Sequence, residues 1–100
     1  MKFLNDYFSE YKRLLKFDEK EIHKILALKK TIKKVKKSKK KILIFGNGGS
    51  AAIASHFSVD LTKNAKVRAV NFNEADLITC FSNDYGYENW VKKAIEYYSD

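Results

Sequence analysis

Residues 42–52 read Ile-Leu-Ile-Phe-Gly-Asn-Gly-Gly-Ser-Ala-Ala. Four β-favouring apolar residues run without a break into a segment that holds three of the chain's four glycines within four positions. An unbroken apolar run of this length fits a strand covered on both faces, and such strands belong to parallel sheets. Glycines directly after it permit positive φ and let a ligand approach the backbone closely. Ser50 is a suitable N-cap for a helix expected from about Ala51 to Lys63. Strand, glycine turn and helix start together present free backbone N–H groups at the positive end of a helix dipole, which is an anion site.

Outward from this stretch the pattern stays α/β. Val67 to Phe72 reads as a second strand, and strand–helix–strand order implies a parallel pairing through a crossover. Glu74 to about Ser82 reads as a short helix. Gly86 punctuates before a last amphipathic helix carrying Trp90, Val91, Ala94, Ile95 and Tyr98. On the amino side, Phe3, Leu4, Tyr7, Phe8, Tyr11, Leu14 and Leu15 recur at helical spacing. Asp18 followed by Glu21 is a capping-box start for a second helix with Ile22, Ile25, Leu26, Ile32 and Val35 on its apolar side. These two helices carry more apolar surface than one short sheet covers, so residues 1–40 are expected to pack against another subunit. Two strands are too few for a parallel sheet to stand alone. Residues 41–100 therefore read as the first half of a larger α/β domain that stops after its second strand and the helices following it.

Composition narrows the function classes. The chain has 100 residues, 45% apolar and net charge +8, enough for one small globular domain. No apolar run approaches the roughly 18 residues of a membrane span, and no signal-peptide pattern follows Met1. A cytoplasmic protein with no membrane partner is expected. A single cysteine, Cys80, forms no internal disulfide and reads as a packed core thiol. Much of the positive charge lies between Lys29 and Lys41, with almost no aromatic or arginine interleaved. Base readout and stacking depend on those residues, so the run reads as a solvated helix end and no nucleic-acid partner is expected.

Three readings of the glycine loop compete. A P-loop needs Lys and then Ser or Thr after the last glycine, and Ala51-Ala52 stands there instead. A dinucleotide loop stays open, because Gly46-x-Gly48-x-x-Ala51 satisfies G-x-G-x-x-A and Glu74 is available as a ribose partner. The helix after the loop points to a third. His56 and Asp60 fall one turn apart on one face, flanked by Ile53, Phe57 and Leu61. An imidazole and a carboxylate at i, i+4 suit an acid–base pair or two metal ligands. Ser82-Asn83-Asp84-Tyr85-Gly86-Tyr87 follows the second strand, where an open sheet delivers polar groups toward its carboxyl edge.

Taken in order, Gly46-Asn47-Gly48-Gly49-Ser50-Ala51-Ala52, His56-Phe57 with Asp60-Leu61-Thr62, and Ser82 to Tyr87 resemble the sugar isomerase (SIS) domain family, in its phosphoheptose isomerase branch. The resemblance implies a flavodoxin-like or Rossmann-like parallel sheet in a homotetramer. The implied reaction is isomerisation of sedoheptulose 7-phosphate to the aldose heptose 7-phosphate, for lipopolysaccharide or capsule synthesis. It implies substrate contacts at Asn47, Gly48, Gly49, Ser50, His56, Asp60, Asn83 and Asp84. It also implies a catalytic base at Asp60 and a possible zinc ion on His56 and Asp60. Asp60 departs from the glutamate usual in the family, which sets its carboxylate about 1 Å or more farther from a substrate proton, a displacement that costs about 10²-fold in rate in an unchanged pocket. The family's serine-rich phosphate loop and distal acid are not found in residues 1–100.

Overall fold

The amphipathic spacing and the Asp18 cap act locally. A computed structural model describes all of residues 1–100, which divide into two compact units, Met1–Thr31 and Ile32–Asp100. In the first unit, helix α1 (Lys2–Leu14) is followed by the start of helix α2 (Glu19–Lys37). The expected capping box is present in both directions. Glu21 N donates to Asp18 Oδ1 at 2.8 Å and Asp18 N donates to Glu21 Oε2 at 3.0 Å, so two otherwise orphan amides are satisfied at the entry to α2. Neither helix buries a residue. Phe3, Tyr7 and Tyr11 stack along one face of α1, with centroids 6.3 and 6.5 Å apart, and Phe3 stays 76% exposed.

The second unit holds the sheet. Strand β1 (Ile42–Ile44) pairs in parallel with strand β2 (Ala69–Asn71), Ile42 opposite Ala69 and Ile44 opposite Asn71. Helix α3 (Gly49–Lys63) makes the crossover, and helix α4 (Ala75–Tyr85), a 3₁₀ turn (Tyr87–Asn89) and helix α5 (Trp90–Tyr98) follow. The α/β fold read from the sequence is thus present, with two strands and helices on both faces.

Alternation along the strands sorts the faces. Leu43 and Phe45 of the β1 segment and Phe72 after β2 meet Trp90 and Ala94 of α5, together with Leu77, Ile78 and Phe81 of α4. Phe45 stacks on Phe72 at 4.8 Å, Trp90 meets Phe45 edge-on at 5.8 Å and Tyr98 meets Phe72 at 5.1 Å. Aromatic pairs of this geometry contribute about 0.5–1.5 kcal/mol each beyond area burial. The opposite face of β2 meets α3 through polar groups. Asn71 Nδ2 donates to Ser58 Oγ at 3.0 Å, Ala69 N donates to Thr62 Oγ1 at 3.3 Å, and Asn73 Nδ2 donates to Ser55 Oγ. Ser55, Ser58 and Thr62 lie on the side of α3 turned toward the strand, with buried Ala54 and Leu61 beside them.

Two expectations need correction here. Cys80 is exposed, because α4 turns Leu77, Ile78 and Phe81 toward Phe72 and Trp90, leaving position 80 on the outer side. Ser50 is the second residue of α3 and not its N-cap. Gly48 holds that place at φ 57°, ψ −126°, and the helix starts early because Ala51 N already reaches Gly48 O at 3.0 Å.

Both helices that precede a strand end on a lysine in the left-handed region. Lys40 N bonds Val35 O at 3.1 Å with Lys39 at φ 58°, and Val67 N bonds Leu61 O at 2.9 Å with Lys66 at φ 56°. The first is a six-to-one helix end and the second spans one residue more, and in both the left-handed position is one that usually carries glycine. A lysine there costs about 1–2 kcal/mol of backbone strain.

Candidate functional site

The loop between β1 and α3 is shaped by its own backbone. Asn47 N donates to Ser50 Oγ at 2.7 Å, Ser50 Oγ lies 2.7 Å from Asn47 O, and Ser50 N returns to Asn47 O at 3.1 Å. Ser50 thus ties the loop to the first turn of α3. The backbone N–H groups of Gly48 and Gly49 have no partner within the chain, and both residues are exposed. They stand at the N-terminus of a 15-residue helix, where the dipole and the free donors favour a negatively charged or electron-rich oxygen.

The glycines differ in why they are needed. A Cβ on Gly46 would fall on the backbone carbonyl of Ser50 and 2.6 Å from Ala51 N, so close approach of the helix start requires its absence. Gly48 has open space around it and is required by its positive φ instead. Gly49 has open space and no positive φ.

Asn73, after β2, fixes the same helix start from the other side. Its Nδ2 donates to Ala51 O at 2.7 Å and also to Ser55 Oγ. Sequence reasoning did not single out Asn73, Asn71, Ser55 or Ser58. A serine spacing of i, i+3 on α3, opposite asparagines at the end of a strand, was the available signal.

His56 and Asp60 share a face of α3 as the i, i+4 spacing requires, with His56 Nε2 3.6 Å from Asp60 Oδ2. Asn64 Nδ2 donates to Asp60 Oδ1 at 3.2 Å. The face is open: Ile53 beside it is 71% exposed and Phe57 43%. Of the expected apolar flank only Leu61 is buried.

Asn83 and Asp84 lie in the last turn of α4, at the end remote from the strand, whereas the sequence suggested a turn there. The helix runs on to Tyr85 because Gly86, at φ 86°, is the first residue that ends it, with Gly86 N bonded to Ser82 O at 3.0 Å. Asn83 Nδ2 donates to Asp84 Oδ1 at 3.1 Å, and Cys80 Sγ lies 3.5 Å from Asp84 Oδ2. The Asp84 carboxylate raises the thiol's pKa above its ordinary value, first through this hydrogen bond and then through its charge.

The expected residues therefore form three clusters: the loop with Ser50, the His56–Asp60 pair, and Asn83 with Asp84. No hydrogen bond or ion pair joins one cluster to another. No group of three or more His, Cys, Asp or Glu side chains is placed to hold a metal ion. His56 and Asp60 alone supply two donors, and a tetrahedral zinc takes four ligands.

The SIS domain family model matches residues 6–96. A phosphoheptose isomerase of Fusobacterium nucleatum is 34% identical over an alignment covering 98% of this chain and 54% of that protein. A phosphoheptose isomerase of Helicobacter pylori (strain HPAG1) is 42% identical over 56% of this chain and 32% of its own length. One from Buchnera aphidicola (strain Tuc7) is 32% identical over 79% and 44%. At its widest match the chain spans about half the length of its curated relative. No solved structure matches.

Proposed function

The chain belongs to the SIS domain family, and from that premise we propose that residues 1–100 form the sugar-binding half of a phosphosugar aldose–ketose isomerase of the phosphoheptose isomerase type. The observation that carries this reading is the pair of free, exposed N–H groups of Gly48 and Gly49 at the head of α3, two turns before the His56–Asp60 pair on the same helix.

In the proposed reaction the loop residues Asn47, Gly48, Gly49 and Ser50 hold sugar oxygens, and Asn83 and Asp84 bond hydroxyls. Asp60 takes the proton from the carbon next to the carbonyl, giving an enediol or enediolate, and returns it to the neighbouring carbon. His56 orients the substrate, and a second acid from sequence outside residues 1–100 serves the oxygens. Sedoheptulose 7-phosphate is the proposed substrate and the heptose 7-phosphate aldose the product, in the cytoplasm, feeding surface-polysaccharide synthesis. Zinc would find only His56 and Asp60 among these residues, so no step is routed through it.

Residues 1–40 are proposed to build a homo-oligomer, a tetramer by the resemblance. The exposed apolar face of α1 supports that reading.

The open setting of the Asp60 carboxylate, 48% exposed, favours a second reading, a phosphosugar-binding module without turnover. One experiment separates the two: the protein is incubated with sedoheptulose 7-phosphate in deuterium oxide and followed by NMR. The isomerase reading expects aldose product with deuterium at the carbon that exchanges its proton. Binding without exchange supports the module, and absence of binding removes both.

A further inference from the structure

We propose that a basic cleft at the opposite edge of the sheet from the glycine loop is a second anion site, built for a small molecule that carries linked phosphate groups. The glycine loop follows the carboxyl end of β1. This cleft instead lies before the amino ends of both strands, lined by Lys36, Lys39, Lys40, Lys66, Val67 and Arg68, with a volume of about 300 Å³. All six residues belong to the Ile32–Asp100 unit.

Two independent features point to a ligand. The first is charge: five of the six lining residues are cationic and none is acidic. The Lys36 amino group is occupied, donating to Ala65 O at 2.8 Å, and it covers the carbonyl end of α3. Arg68 lies 3.8 Å from Asp100, which Lys41 also holds. The amino groups of Lys39, Lys40 and Lys66 make no hydrogen bond or ion pair within the chain.

The second feature is backbone conformation. Lys39 and Lys66 are the chain's only non-glycine residues at positive φ, each at a helix end where glycine would be unstrained. Both line this one cleft. The backbone bonds of Lys40 N and Val67 N hold both turns but would form equally with glycine, so they leave the choice of a strained, free cation at both positions unexplained.

The chemistry of the lining selects among anions. No aromatic ring lines the cleft, so it lacks the stacking surface that single-stranded nucleic acid uses. Exposed lysines each contribute little against one charge, so useful affinity requires several linked phosphates engaging several lysines together.

Inorganic tripolyphosphate is the probe, titrated into the whole protein at low ionic strength and read by calorimetry and thermal denaturation. Saturating tripolyphosphate is expected to raise Tm by roughly 4 °C or more. The Lys39→Gly/Lys66→Gly double variant is expected to melt higher than the parent without ligand, yet to bind tripolyphosphate about tenfold more weakly. A Lys20→Ala/Lys24→Ala variant, which removes equal charge elsewhere, is expected to keep affinity within about twofold. Unchanged affinity in the double glycine variant would overturn the proposal, since it would leave the two lysines as helix ends only or place the ligand at the glycine loop. Equal binding of orthophosphate, or tighter binding of a single-stranded oligonucleotide, would overturn the assignment to linked phosphates on a small molecule.

Discussion

His56 Nε2 and Asp60 Oδ2 lie 3.6 Å apart on the outer face of α3, the imidazole 82% and the carboxylate 48% exposed. Exposed pairs of this kind contribute between nothing and about 1 kcal/mol to stability, so replacing either partner separates chemistry from folding. Under the proposed function, Asp60→Asn in the whole protein, assayed with sedoheptulose 7-phosphate, is expected to lower kcat by roughly 10²-fold or more, with Tm within about 3 °C of the parent. Undiminished kcat would remove Asp60 as the base. Asp60→Glu is expected to hold or raise kcat, since it restores the reach of the family's usual residue.

The glycine loop makes a prediction that differs by position. Gly46→Ala drives a Cβ into the Ser50 carbonyl, and relief requires the start of α3 to move. A loss of about 2 kcal/mol, near 8 °C in Tm, is expected from overpacking of this kind. Gly49→Ala meets open space at an ordinary φ and is expected to be neutral or slightly stabilising. Equal Tm losses in the two variants, followed by circular dichroism, would contradict the packing account.

Asn73→Ala removes the donor shared by Ala51 O and Ser55 Oγ. Partly buried acceptors then lose their partner, and about 1–3 kcal/mol of stability is expected to go with it. Asn73→Asp is expected to cost more, because a carboxylate would face a carbonyl oxygen. Urea midpoints measured with an unchanged m-value test both.

Cys80 is exposed but held in its unreactive form by Asp84. Because the thiol's pKa lies above its ordinary value, little thiolate is present near pH 7 and alkylation is slow, rising only as pH climbs past the usual cysteine range. Asp84→Asn removes the negative charge and leaves only a neutral amide oxygen as acceptor, so iodoacetamide should react several-fold faster at pH 7.5. An unchanged rate would show that the carboxylate does not control the thiol.

Local signals carried most of the fold. The Asp18–Glu21 box, the Ile42–Phe45 run and the Gly86 stop each act through neighbours in sequence, and each appears where those residues place it. The Cys80 and Ser50 misreadings have different causes: Ser50 was misplaced because α3 starts at Gly49, ahead of its cap-type residue, Cys80 because of helix facing. A residue's face on a short helix depends on which neighbours turn inward, and periodicity over 11 residues left the orientation of α4 open between Cys80 and Phe81. The polar contacts of Ser55, Ser58 and Thr62 with Ala69, Asn71 and Asn73 were also hidden. The serine spacing marks a polar face of α3, but its partners depend on strand register across a crossover, which that spacing does not fix.

The buried indole of the single tryptophan has a practical consequence. Trp90 sits edge-on to Phe45 in the second unit, while Tyr7 and Tyr11 stand stacked on α1 in the first. Fluorescence excited at the red edge therefore reports the sheet unit by itself, and near-ultraviolet tyrosine ellipticity carries a contribution from the helical one. Melting curves recorded in both channels would reveal whether the two units lose structure in one event or in two, with no label attached.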